Sequence, residues 1–209
     1  SVDKLQLVSS ETVKIRNPNN KNFKTRDILY AKFYDRQSDT LHCFVNHWPS
    51  RYAKSPARER AGTLVRMLKD SLMTEMPDSK VLIMGDMNDD PDNKSMKTCL
   101  GAVREKEEVK SATDLYNPWW NILRKKGLGT LKYKGKWNLF DQGILSGNLI
   151  GNDRSTLKLY KTEIFSRSYM FQQEGRYKGN TKRTHAGGVW LNGYSDHLPV
   201  IVYLIKEAK

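Results

Sequence analysis

Cysteine is nearly absent from this chain, whose 209 residues include only Cys43 and Cys99. That is too few for a disulfide framework. The two are read either as one bridge, if the protein is exported, or as free thiols, one of them buried in the apolar run around Phe44. Proline and glycine are sparse, at 7 and 14 residues, which excludes a collagen-like or linker-like chain. No apolar run approaches the roughly 20 residues of a membrane-spanning helix, so no transmembrane segment is expected and the protein should be soluble. No secretory signal opens the sequence, and nothing else fixes the compartment. A secreted or periplasmic location remains open if a leader has been removed. Hydrophobic residues make up 38% and charged residues 28%, a balance that supports a core and argues against disorder. One domain over residues 1–209 is the expectation for this length.

Acidic residues are in deficit, 23 against 36 basic ones, for a net charge of +13. The excess is uneven. Residues 121–183 carry 14 basic and 4 acidic side chains, whereas residues 61–120 carry 8 and 11. A basic stretch of this kind attracts anions over long range. Nucleic acid is one candidate partner, a phospholipid or phosphoinositide headgroup another, and a plain solvated lysine-rich face the third.

Periodicity predicts the elements. A short strand is read at Leu5–Val8, then a polar turn over Asn17–Asn22. The β-prone runs Ile28–Tyr34 and Leu41–Asn46, around the break Asp35–Asp39, predict a hairpin with His47 at its exit. Pro56 suits the first turn of a helix. Ala61, Leu64, Val65, Leu68, Leu72, Met73 and Met76 recur at spacings of three and four, one apolar stripe ending near Pro77. Lys80–Met84 is too apolar for an edge and reads as a buried strand, followed by the polar loop Gly85–Pro91. In an α/β arrangement, function is expected at the carboxyl end of such a strand. Residues 92–136 show little periodicity. Trp137–Phe140 reads as a strand leading into Asp141, Lys158–Phe165 as another, Gln172–Gly188 as a basic loop, and Leu198–Ile205 as the last strand.

Four polar clusters sit beside these strands: Asn46-His47, Asp86-Met87-Asn88, Asp141, and Asp196-His197. They contain hard oxygen donors for a divalent cation, imidazoles able to move a proton, and hydrogen-bond donors, the set that phosphate-ester hydrolysis needs. A strand-end Asp alone is as often a turn or cap residue. If Met87 continues an extended strand, Asp86 and Asn88 face the same side. Adjacent Asp196 and His197 need a bend to converge. A carboxylate such as Asp141 could fix the tautomer of His197. His42, within a strand, and His185, in the basic loop, are read as structural or solvent-facing. No cysteine lies in a zinc-like spacing with histidine or another thiol, so the oxygen donors favour Mg²⁺, with Mn²⁺ or Ca²⁺ as alternatives.

Taken in order, Asn-His-Trp-Pro-Ser-Arg at 46–51, Met-Gly-Asp-Met-Asn-Asp at 84–89, Asp141, and Ser-Asp-His-Leu-Pro-Val at 195–200 resemble the endonuclease/exonuclease/phosphatase superfamily, whose fold is that of deoxyribonuclease I. The resemblance runs from about Leu5 to Ile205. It implies an α/β (α+β) four-layered sandwich of two mixed β-sheets flanked by helices. It also implies metal-dependent hydrolysis of a phosphoester, most often a phosphodiester, by direct attack of water. On this basis His197, Asp141, His47, Asp86 and Asn88 are the expected catalytic residues. Arg26 and Asn88 would bind phosphate, and Asp196, Asp86 and Asn88 would hold the metal. The family's early asparagine and metal-binding glutamate have no match here; Glu11 and Glu59 lack the expected neighbours. The resemblance therefore implies a domain whose N-terminal part is absent, cut, omitted or present as a separate chain. A different class also fits that gap: an inactive nucleic-acid-binding or scaffold module that keeps the fold. The motifs describe the phosphate and leave open what it is attached to.

Overall fold

A computed structural model describes residues 4–35 and 39–208. Its centre is a seven-stranded mixed sheet in the order β1-β2-β3-β4-β9-β6-β5. The strands are β1 (Gln6–Val13), β2 (Ile28–Tyr34), β3 (Thr40–His47), β4 (Lys80–Asp86), β5 (Ala102–Val103), β6 (Leu115–Tyr116) and β9 (Asp141–Ser146). Strands β2 and β3 form the expected hairpin, pairing Leu29 with Val45 and Tyr34 with Thr40. Part of its connecting turn, at residues 36–38, lies outside the described residues. Helix α1 (Ser55–Glu75) carries the chain from β3 to β4, which pair in parallel, and Pro56 stands in its first turn.

Side chains alternate across the sheet. Phe44, Val81, Ile83 and Ile144 face α1 and pack with Ala61, Val65 and Met73 of its stripe. Leu41, Cys43, Leu82 and Leu145 face the other way, toward β10 (Lys158–Ile164) and β13 (Val200–Ile205), which form an antiparallel pair. The fold is thus the expected α/β (α+β) sandwich, its second sheet represented by two antiparallel strands among the described residues. Close approach of the layers needs Gly143, where a Cβ would lie 2.6 Å from Val202. Helix α2 (Trp119–Arg124) closes the flank, with Trp119 Nε1 donating to the Gly143 carbonyl at 2.9 Å. No helix among the described residues is long and apolar enough to cross a membrane.

Three local expectations need correction. Trp137–Phe140 is not one strand: β8 (Lys136–Asn138) pairs with β7 (Leu131–Tyr133), and a new strand starts at Asp141. The break arises because Leu139 donates its N–H to Asp90 and the Phe140 carbonyl accepts from Met87, so neither extends the hairpin ladder. The unpatterned stretch 92–136 contains β5, β6, α2 and a π-helical turn at Ser95–Leu100. The segment read as a basic loop ends in a short strand, β11 (His185–Ala186), which pairs with β12 (Val189–Trp190) just beyond it. Cys43 and Cys99 are both free, and burial pushes the Cys43 thiol up to about 11.

Candidate active site

Sheet topology places the polar clusters. The parallel register pairs His47 with Asp86, and the antiparallel register pairs Asp86 with Asp141, so two strand ends and one strand start meet on one edge of the molecule. The fourth member arrives from the second layer. His197 forms a β-bridge with Leu131, and Leu198 donates to the Thr130 carbonyl at 2.8 Å, fixing the segment just before β13 against the segment just before β7.

His197 Nδ1 and Asp141 Oδ2 are 2.7 Å apart. A carboxylate only accepts, so Nδ1 carries the hydrogen and Nε2 is left as the free acceptor. Burial works against protonation of His197. The hydrogen bond and charge of Asp141, backed by Asp86 and Asp196, outweigh it and raise the pKa above the ordinary value. Burial also raises Asp86, against the N–H of Asn88, and the neighbouring charge of Asp141 adds to the rise while both histidines oppose it. One oxygen or nitrogen of each of Asp86, Asp141 and His197 lies within 4.8 Å of the others.

The donor set suits a hard cation. Two half-buried carboxylates this close repel each other, and a divalent ion would relieve both the repulsion and the cost of burial. Asp86 and Asp141 supply the oxygens that Mg²⁺ prefers.

Asn88 is held differently from the extended reading. Its backbone is left-handed, φ +51°, and its N–H donates to Asp86 Oδ1 at 2.8 Å, so the two residues are joined by a tight turn and not by an alternating strand. Its side-chain amide donates to the Trp48 carbonyl at 3.0 Å. His47 lies 3.5 Å from Asp86, Nε2 to Oδ2, a partner the sequence order did not suggest. Asp196 stands outside the trio, half-exposed, with its carboxylate 3.9 Å from Arg183. Arg26 is exposed two residues before β2, at the end of that strand which lies beside the exit of β3.

Sequence reasoning missed the residues that brace this edge. Thr130 Oγ1 accepts from the N–H groups of Phe140 and Asp141 at 3.2 and 3.3 Å while its carbonyl holds Leu198, so one residue positions both halves of the Asp141–His197 pair. No spacing links it to either. Arg51 was legible only as the last residue of a motif. Its guanidinium donates to the Asn88 carbonyl, Asp90, Asn93 and Asn138, each at 3.2 Å, and lies 4.3 Å over the Phe140 ring. Beneath it, Arg58 and Asp89 form a buried pair at 2.9 Å.

Comparison with known proteins gives the same frame. No curated protein matches the sequence significantly. Among solved structures, a mannosyl-6-phosphatase from Bacteroides thetaiotaomicron VPI-5482 superposes with a TM-score of 0.62 at 15% identity, over 97% of this chain and 68% of that one. An endonuclease/exonuclease/phosphatase family protein from Bacteroides thetaiotaomicron gives 0.59 at 14%, over 100% and 68%. The D. rerio TDP2 complexed with single strand DNA product gives 0.55 at 12%, over 96% and 68%. At such identities the likeness speaks for the fold. The sequence itself matches the profile of the Endonuclease/Exonuclease/phosphatase family over residues 1–206, and the chain belongs to that family.

Proposed function

We propose that this chain carries the catalytic centre of a divalent-metal-dependent hydrolase of phosphoester bonds, phosphodiesters above all. The observation that carries the reading is the coupled set His197–Asp141–Asp86–His47 at one sheet edge, with the 2.7 Å contact that leaves His197 Nε2 free. Pure anion binding has no need of an imidazole oriented by a carboxylate.

Asp141 holds the ring of His197, which acts at the attacked phosphate and withdraws the proton of the incoming water. The water oxygen bonds to phosphorus, the bond to the leaving oxygen breaks, and His47 returns a proton to that oxygen. Asn88 and Arg26 hold phosphate oxygens. A divalent ion, held by the carboxylates of Asp86 and Asp141, would supply charge stabilisation for the phosphoryl oxygens. The trio contains no glutamate.

Hydrolysis of bis(p-nitrophenyl) phosphate by this protein tests the proposal. The expected result is a rate that requires Mg²⁺ or Mn²⁺ and disappears in excess chelator. Full activity with chelator present would reject the metal. A folded protein that binds phosphoesters without cleaving them would point to an inactive binding module.

A further inference from the structure

Beside the site lies a cleft of about 620 Å³, between the β7–β8 hairpin and the 172–191 segment. Lys132, Lys134, Arg176, Lys178 and Arg183 line it, and no carboxylate does. Tyr133 and Tyr177 also line it, with 57% and 61% of their surface exposed. Large rings left this open in a structure with a well-filled core are available for stacking on a partner.

The cleft is built, not incidental. Gln172 and Gly179 close the loop onto itself, Gln172 N–H to the Asn180 carbonyl and Gly179 N–H to the Gln172 carbonyl, both at 2.8 Å. At the hairpin tip Lys134 and Gly135 both have positive φ, +48° and +79°, the two-residue turn for which Asn-Gly is the usual choice. A lysine at this left-handed position costs stability relative to Asn or Gly, and it places a cation at the rim.

The cleft is tied to the segment that carries His197. Lys132 follows Leu131, the bridge partner of His197, and Thr181 Oγ1 donates to the Asp196 carbonyl at 2.7 Å. Five cations, exposed rings and no acidic lining match a chain of phosphates carrying flat bases. A lone phosphate or a lipid headgroup would use the charges and leave the rings idle.

We propose that this cleft binds single-stranded nucleic acid flanking the phosphodiester held at His197. The assignment of substrate class rests on the hydrolase reading above. Binding is measured by fluorescence anisotropy of a labelled twelve-residue oligothymidylate in EDTA, so that no cleavage intervenes, across a range of salt concentrations. Each phosphate neutralised on a single strand contributes about 0.7 to the slope of log K against log salt. Replacing Lys134, Arg176 and Lys178 together by alanine should therefore flatten that slope by about two. Tyr177→Ala should weaken binding by about tenfold, whereas Tyr177→Phe keeps the ring and should bind like the parent.

The same variants should hydrolyse bis(p-nitrophenyl) phosphate at the parental rate, since that substrate is too short to reach the cleft. This assay also separates the two readings. Loss of ester hydrolysis in the parent with oligonucleotide binding as described would remove the catalytic reading alone. An unchanged salt slope in the triple variant would overturn the cleft. So would vesicles containing phosphoinositides that bind tighter than the oligonucleotide and ignore Tyr177→Ala.

Discussion

At the scale of single residues, His197 and His47 differ in how they are held. His197 is hydrogen-bonded at 2.7 Å to a carboxylate, while His47 is half-exposed at 3.5 Å from Asp86. If His47 protonates the leaving group, its contribution shrinks when that group is already stable as an anion. His47→Ala should therefore cost less with a nitrophenyl ester than with an alkyl or nucleoside one, and kcat/KM on both substrates reads the difference. Equal losses would mean that the proton has been assigned to the wrong histidine. Gly85 is equally constrained, for a structural reason. Its φ is +127°, and a Cβ there would lie 2.0 Å from the Asn46 carbonyl oxygen. Gly85→Ala should lower stability by about 3 kcal/mol in urea unfolding, since it combines a forbidden backbone with a backbone clash next to Asp86.

At the scale of elements, the ends of β2, β3, β4 and β13 are tied by a buried charge cluster far from the site. Lys80 lies 2.7 Å and Lys206 2.9 Å from Asp39, and Lys206 is 2.8 Å from Asp35. Burial pushes Asp39 up, but hydrogen bonds from Lys80, Lys206 and the Leu157 N–H win and hold its pKa below the usual carboxylate value. A depressed carboxylate stabilises the fold above its unfolded pKa and loses that contribution as pH falls through the folded one. Asp39→Asn should accordingly cost roughly 3 kcal/mol at neutral pH. The gap between variant and parent should close below about pH 4, the unfolded carboxylate value, as followed by urea unfolding at several pH values. A gap that stays constant to pH 2 would show that Asp39 contributes through packing and not through charge.

The elements also show what could be read from sequence. The helix stripe, the β2–β3 hairpin and the buried strand β4 were legible because each has a single strong period and a clear break. Strands β5 and β6 were not: at two residues each they have no period, and they are strands only because β9 offers a ladder edge. Asp141 stands out in the sequence as a candidate site residue, yet the strand expected before it ends at Asn138 and a new one starts at Asp141 itself. Leu139 and Phe140 are as strand-prone as their neighbours, and only the distant Asp90 and Met87 decide that they leave the ladder. The family motifs pointed to Asp86, Asp141, His197 and His47, which the fold brings together. The braces Thr130 and Arg51 act through backbone and loop contacts that leave no pattern along the chain.

At the scale of the whole molecule, charge and topology favour the same edge. Five of the fourteen basic residues of segment 121–183 line the cleft formed by the hairpin and loop, so long-range attraction leads an anion toward the carboxylates and imidazoles. The account stands or falls on whether His197 does chemistry there. Its most direct test is kcat/KM for bis(p-nitrophenyl) phosphate with Mg²⁺, comparing His197→Ala with the parent, with circular dichroism to establish that both are folded. A general acid or base contributes about 10²- to 10⁴-fold, and a loss of that size in kcat is the expected result. A folded His197→Ala protein that retains activity within a few-fold of the parent would contradict the account.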